Sequence, residues 1–188
     1  MNIPVKILIG CWIVFFLYWI INVLNAKKTA ERQNWALLLA YKIPSTLGGV
    51  LFFWPDRPNP LGMILFPHTV WVQSLGAGLC VFGLLGAIWS RAILAGNWSP
   101  DVTFKVGHEL TQRGPYRFVR HPIYTGILLM LLGTAVCAGR LRALIGFSLV
   151  AASFWIKLRQ EETLMIRHFP NDYPAYKARV KALVPFLF

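Results

Sequence analysis

Chemically capable side chains concentrate in two stretches of this sequence. The first, Arg113-Gly114-Pro115-Tyr116-Arg117-Phe118-Val119-Arg120-His121-Pro122-Ile123-Tyr124-Thr125-Gly126, sets a guanidinium, an imidazole and a phenol beside a proline suited to the first turn of a helix. Unpaired N–H groups of such a turn, with Arg120 next to them, would receive an anion. Gly126, one turn in, would let a flat ligand touch the backbone. The second stretch holds Glu161 and Glu162. Over residues 156–169 a helical wheel puts Leu158, Glu162, Met165 and Phe169 within a wedge of about 60°, so Glu162 lies on the apolar stripe. A carboxylate there is costly unless a cation meets it. Glu161, at the stripe's edge, reaches Lys157 at i, i+4. An anion-binding helix start facing a carboxylate would suit a zwitterion. Local physics also fits a plain anchor, with Arg120 and His121 facing lipid headgroups.

The elements that must carry these residues are membrane helices. Of the 188 residues, 56% are hydrophobic and only 14% charged, with 8 Trp. That excludes disorder, collagen and a disulfide-stapled secreted domain. The apolar residues also cluster. Residues 5–24 form a run whose one charge is Lys6, long enough to span a bilayer, and residues 24–26 offer no signal-peptidase site. A second run lies between Trp35 and Trp54, a separation of about 28 Å at the helical rise, with the two indoles as interface anchors. Lys42, Pro44 and Gly48-Gly49 should kink or thin it. A third run, residues 69–95, repeats Gly76, Cys80, Gly83 and Ala87 on one face, where another helix can come close. Two shorter runs, residues 122–138 and 141–158, follow with almost no gap and read as a helical hairpin.

The fold class expected is therefore all-α: an integral membrane protein of about five transmembrane helices, ending in a hairpin and amphipathic cytoplasmic tail helices. One membrane domain, residues 1–188, divides into three spans (1–95), a polar loop (96–121), the hairpin (122–158) and the tail (159–188). The tail's second helix has Asp172 as its expected N-cap, Pro174 in its first turn, and Tyr173, Tyr176, Val180 and Val184 on one face. It reads as an interfacial helix on the cytoplasmic leaflet.

The net charge of +12 gathers in the short segments between apolar runs, which points to headgroups and topology rather than to nucleic acid. With loop and tail in the cytoplasm, that face holds fourteen of the Lys and Arg residues against four opposite, Lys6, Arg57, Arg140 and Arg142. Cys11, Cys80 and Cys137 all fall within apolar runs and at no metal-ligand spacing, so neither a disulfide framework nor a metal site is expected. His68 is expected at an interface and His168 exposed on the tail.

The strings RGPYRFVRHPIYTG and EETLMIRHFPNDYPAYKARV, together with Asn97-Trp98-Ser99, Val102, Lys105, His108 and Leu110, resemble the isoprenylcysteine carboxyl methyltransferase family. They are more loosely similar to the phospholipid N-methyltransferases that share RHPxYxG. The likeness runs from Asn97 to Pro185, about half the chain, and leaves the first three spans without a signature. It implies transfer of the sulfonium methyl of S-adenosyl-L-methionine to a lipophilic or amphiphilic acceptor arriving through the bilayer. By position, the resemblance assigns cofactor contacts to His121, Tyr124, Gly126 and Glu162, with Pro122, Tyr116, Leu110 and Glu161 beside them, and catalytic work to Arg120, His108 and Glu162. An amine or thiol acceptor would need a base, with His108 or His121 as candidates. Lys42 and Arg91 are candidate partners for an anionic acceptor head, and the kinked second span with the small-residue face of the third is a candidate lipid-side opening. The sequence departs from the family at Ala182, where relatives often carry a basic residue; Lys181 stands next to it. The small chain suits a bacterial cytoplasmic membrane with the site facing the cytoplasm. Two other classes fit less well: an NADPH-dependent membrane reductase of the sterol-reductase type, which should show more phosphate-binding Arg, Lys and Asn around the tail, and a non-enzymatic membrane scaffold, in which Glu162 should have a purely structural cation partner.

Overall fold

A computed structural model describes residues 2–23, 27–32, 34–54 and 60–186. Residues 24–26 and Arg57, used above for the signal-peptide and topology readings, lie outside the described residues. Each apolar run becomes a helix: α1 (Ile3–Val23), α2 (Trp35–Phe53), α3 (Val70–Leu94), α4 (Pro122–Ala138) and α5 (Leu141–His168), followed by the short α6 (Asp172–Arg179). Four of them, α1, α2, α3 and α5, are long and apolar enough to cross a membrane. The fifth, α4, has 17 residues, the lower limit for a span. The protein is an integral membrane protein of nearly all-α structure.

The helices pack in a row in which α1 meets α3, α3 meets α4, α4 meets α5, and α5 meets α2. Glycine fixes the two closest crossings. A Cβ on Gly126 would stand 2.6 Å from the Gly83 carbonyl oxygen, and one on Gly76 would stand 2.5 Å from that of Gly133. The small-residue face of α3 is thus filled by α4, as membrane helices pack where no side chain keeps their backbones apart. That face is closed as a lipid-side opening. On α2 and α5, a Cβ on Gly48 would stand 2.7 Å from the Gly146 oxygen. Pro44 does not break α2, which stays helical from Trp35 to Phe53. The hydroxyl of Ser153 in α5 donates to the Tyr41 carbonyl at 2.6 Å, beside the carbonyl that Pro44 cannot serve.

Two features were not expected. First, α5 does not stop at Leu158: its 28 residues extend about 42 Å, well beyond a hydrocarbon core, so Glu161 and Glu162 project past the lipid on a rigid rod. Second, two polar segments distant in sequence pair as an antiparallel ribbon, β1 (Thr29–Arg32) with β2 (Thr103–Lys105). Glu31 of β1 accepts from Arg167 at 2.9 Å and contacts His168 Nε2 at 2.8 Å, and the Phe104 ring stacks on His168 at 3.6 Å. His168 is therefore a docking residue for the ribbon and not a free tail side chain. His68 meets the Ala138 carbonyl at 2.9 Å, at the opposite end of α4.

The tail also differs. Asn171, not Asp172, occupies the N-cap of α6, and it makes no side-chain cap bond; Asp172 sits in the first turn, where its charge suits the helix dipole. The Tyr173 and Tyr176 side chains are buried against protein, so the apolar face of α6 is spent on the polar end of the bundle instead of on the leaflet.

Candidate active site

The residues leading into α4 form the floor of the site. Gly114, with φ of +60°, begins a tight 3-10 turn over Gly114–Arg117, which buries Pro115 and Tyr116. Pro122 then starts α4 with its fixed φ and no N–H to satisfy. The tail straps this entry: the backbone N–H of Arg120 donates to Lys181 O at 2.8 Å, that of His121 to Ala182 O at 2.9 Å, and the Thr125 hydroxyl to Leu183 O at 2.7 Å.

Arg120 is consumed by the protein. Its Nε and Nη2 both donate to Glu162 Oε1, at 2.8 and 2.5 Å, and its Nη1 donates to the carbonyls of Lys177 and Val180. Lys177 holds the other Glu162 oxygen at 2.7 Å. The wheel thus located Glu162 correctly on the buried face, and the cation required there is supplied by the chain itself. With its carboxylate 3% exposed and tied to two cations, Glu162 does not line the cavity, whereas Arg120 lines it with its guanidinium bonded to Glu162 and to two carbonyls. From sequence the helix start and Glu162 are expected at the two ends of a zwitterion; in the structure Arg120 and Glu162 are bonded to each other.

Its neighbour Glu161 lines the cavity. About 100° further round the helix, it keeps a quarter of its side chain exposed, accepts the Tyr124 hydroxyl at 2.5 Å and stands 3.5 Å from His121 Nδ1. His121 bridges the pair, with its Nε2 3.4 Å from Glu162 Oε1. Burial alone would lower the His121 pKa; the two carboxylates outweigh it and raise it, so His121 holds its proton more tightly than a free imidazole. It also stacks on Tyr124 with centroids 5.5 Å apart. Lys157 does not bind Glu161 directly: its ammonium donates to Pro100 O at 2.6 Å and acts on Glu161 only through space.

These groups open onto a cavity of about 130 Å³. Of the residues foreseen from sequence, His108, Leu110, Tyr116, Arg120, His121, Tyr124 and Glu161 line it; Pro122, Gly126 and Glu162 do not. Gly126 is occupied in the α3 crossing, so its missing side chain serves helix packing and not a ligand. Sequence reading missed the rest of the wall, Trp98, Asp101, Met165, Tyr173 and Tyr176 among it. The i, i+3 tyrosine pair on α6 was the available signal. Lys42 and Arg91 are likewise structural. Lys42 pairs with Asp101 at 2.9 Å, while the buried Arg91 donates to the carbonyls of Ala95 and Asn22 and lies 4.7 Å from the Trp98 ring.

His108 behaves oppositely to His121. Burial first, then the nearby Lys27 charge, pulls its pKa down to about 4, so it is neutral at pH 7. Buried polar atoms of four lining residues, Asn97 Oδ1, Thr103 Oγ1, His108 Nδ1 and His121 Nε2, have no hydrogen-bond partner within the protein. Polar atoms in that condition await a ligand or water.

The signature of the phospholipid methyltransferases matches residues 71–172, which cover α3, the loop, the hairpin and the approach to α6. The chain belongs to the phospholipid methyltransferase family. It is 32% identical over 132 residues to a protein-S-isoprenylcysteine O-methyltransferase of Schizosaccharomyces pombe, covering 68% of this chain and 55% of that protein. A Xenopus laevis protein of the same name is 24% identical over 185 residues, covering 94% of this chain and 62% of the relative. The methanethiol S-methyltransferase 2 of Bradyrhizobium diazoefficiens is 32% identical over 188 residues, covering 86% and 67%. The chain therefore spans between 55% and 62% of the length of these two isoprenylcysteine relatives. Methyltransferase kinship implies a methyl donor for family members, and the matched segment contains every residue of the RHPxYxG and Glu-Glu elements.

Proposed function

We propose that this protein transfers the methyl group of S-adenosyl-L-methionine to a lipophilic or amphiphilic acceptor carried in the bilayer, at a site on the cytoplasmic face. The observation that supports this most is the cavity shared by His121, Tyr124 and Glu161 at the polar end of α4, in a chain of this family. The donor set fits the cofactor. Its carboxylate and aromatic walls suit an ammonium and a sulfonium, and Asn97, Thr103 and His108 offer unpaired polar atoms. A second, water-facing cavity of about 580 Å³ shares Leu94, Asn97, Leu110 and Thr111 with the first and gives a polar cofactor a route from water.

When bound, S-adenosyl-L-methionine supplies an electrophilic methyl on sulfur. Glu161 presents its open carboxylate edge, and the Tyr124 hydroxyl fixes its orientation. Trp98, Tyr116, Tyr173 and Tyr176 exclude water and hold the reacting groups in line, where proximity provides most of the acceleration. His121, holding its proton between the two glutamates, keeps Glu161 ionised and is not the base. A carboxylate acceptor attacks unaided; a thiol must lose a proton, and neutral His108 is the group placed to take it. Arg120, Glu162 and Lys177 carry no chemistry: they lock α6 against the start of α4.

Calorimetric titration of the detergent-purified protein with S-adenosylhomocysteine, and separately with NADPH, tests the proposal. Binding of the first is expected, lost in Glu161→Ala. Heat from NADPH alone would overturn it in favour of a reductase, and no heat from either ligand would favour a scaffold.

A further inference from the structure

The cavity wall formed by residues 97–103 has little secondary structure of its own, yet it supplies Asn97, Trp98, Ser99, Asp101 and Thr103 to the lining. What holds it comes from α5 and from α2, and α2 otherwise does not reach the site. From α5, the buried Lys157 donates to the Pro100 carbonyl at 2.6 Å, and its ammonium lies 5.6 Å from the Tyr41 ring centre and 5.2 Å from that of Tyr124. From α2, Lys42 pairs with Asp101 at 2.9 Å and the Tyr41 hydroxyl donates to the same carboxylate at 3.3 Å. An ammonium withdrawn from water between two π faces and one carbonyl is held in a narrow set of positions, because leaving any partner costs it a favourable contact in a poorly solvated place.

We propose that Lys157, acting with Tyr41 and Lys42 of α2, is a positioning residue for the ligand site: it fixes the 97–103 wall against Tyr124, so that α2, outside the matched segment, sets the geometry of the cavity. The inference rests on the reading of the cavity as the cofactor site. Two partners contribute unequally. The Lys42–Asp101 pair is about half exposed on the Lys42 side and is a weak tether, whereas Lys157 is buried and its bond goes to backbone, so the loop cannot evade it by a side-chain rotation.

The experiment compares Lys157→Met, Lys157→Arg and Lys42→Met with the wild type for S-adenosylhomocysteine affinity, thermal midpoint and amide hydrogen exchange, all on the full chain in detergent. Lys157→Met is expected to weaken binding at least tenfold and to speed exchange in residues 97–104 alone. Lys157→Arg, which keeps the donor and the charge, should recover affinity to within about threefold, and Lys42→Met should cost about two- to threefold. A Lys157→Met protein that binds as the wild type does overturns the proposal. So does one whose exchange rises throughout with a fallen midpoint while Lys42→Met binds normally. Failure of the wild type itself to bind S-adenosylhomocysteine would instead sink the cofactor reading on which the inference rests.

Discussion

The α4–α5 hairpin carries a pair of basic residues at each end, and the two pairs have opposite uses. At the turn, Gly139 adopts φ of +61°, where a side chain would meet the Phe66 carbonyl, and residues 63–66 bond back onto it. Arg140 and Arg142 there donate to backbone carbonyls, of Gly62 at 2.8 Å and of Phe52 at 3.4 Å. At the other end Arg120 and His121 face two carboxylates. Carbonyl partners fix geometry and titrate nothing. Carboxylate partners also set protonation, and one of the two keeps an open face. The polar end is distinguished by Glu161, a charged partner that keeps an open face on the cavity.

Cutting the clasp at the polar end should cost the most. Arg120→Met leaves Glu162 buried with Lys177 alone, and removing one partner of a buried pair typically costs about 3–5 kcal/mol. A thermal denaturation series in detergent should show the midpoint collapse, with Arg120→Lys recovering only part because it lacks the forked donor. If instead Arg120→Met melts like the wild type, the clasp is not structural and the two ends are not different in kind.

Next in size is the loss of the open carboxylate. Glu161→Gln should weaken S-adenosylhomocysteine binding ten- to hundredfold, about 1.4–2.7 kcal/mol, with little change in midpoint. The matching Glu162→Gln change should do the reverse, lowering the midpoint first. Equal effects of the two on affinity would erase the division of labour between these neighbours.

A smaller effect should appear with pH. His108 is depressed from about 6.5 to about 4, so between those values the unfolded chain binds more protons and stability falls as pH falls, by about 1–2 kcal/mol at pH 5. His121 is raised, so its contribution is complete below the unfolded pKa and disappears as pH climbs through the folded one. A chemical-denaturation series across pH should therefore show a dome. His108→Gln should flatten its acid side and His121→Gln its alkaline side.

The smallest change belongs to the turn. Arg140→Met removes the bond to the Gly62 carbonyl, at the opposite end of α4 from the cavity, and leaves ligand affinity untouched. An affinity change in that variant would mean that the far end communicates with the site.

The five spans were legible because an uncharged hydrophobic run of that length rarely forms anything but a membrane helix, and the close crossing of α3 was legible in Gly76, Cys80, Gly83 and Ala87. The wheel also put Glu162 on the buried face. It could not say whether the cation waiting there belonged to a ligand or to Arg120 and Lys177, since those residues lie far off in sequence and converge only through tertiary packing. That ambiguity left open which of Glu161 and Glu162 lines the cavity, and in the structure it is Glu161. Gly126 was misread for a related reason: a missing side chain marks a close approach without naming what approaches. The β1–β2 ribbon left no signal, because its strands are short, polar and separated by two whole spans.

The strap formed by Lys181, Ala182 and Leu183 sets an order of events during synthesis. Those carbonyls are made some sixty residues after the amides they receive, when every membrane helix has already been threaded. Until they clear the ribosome the start of α4 lacks its strap, so the nascent chain enters the bilayer before this end of the cavity can close up.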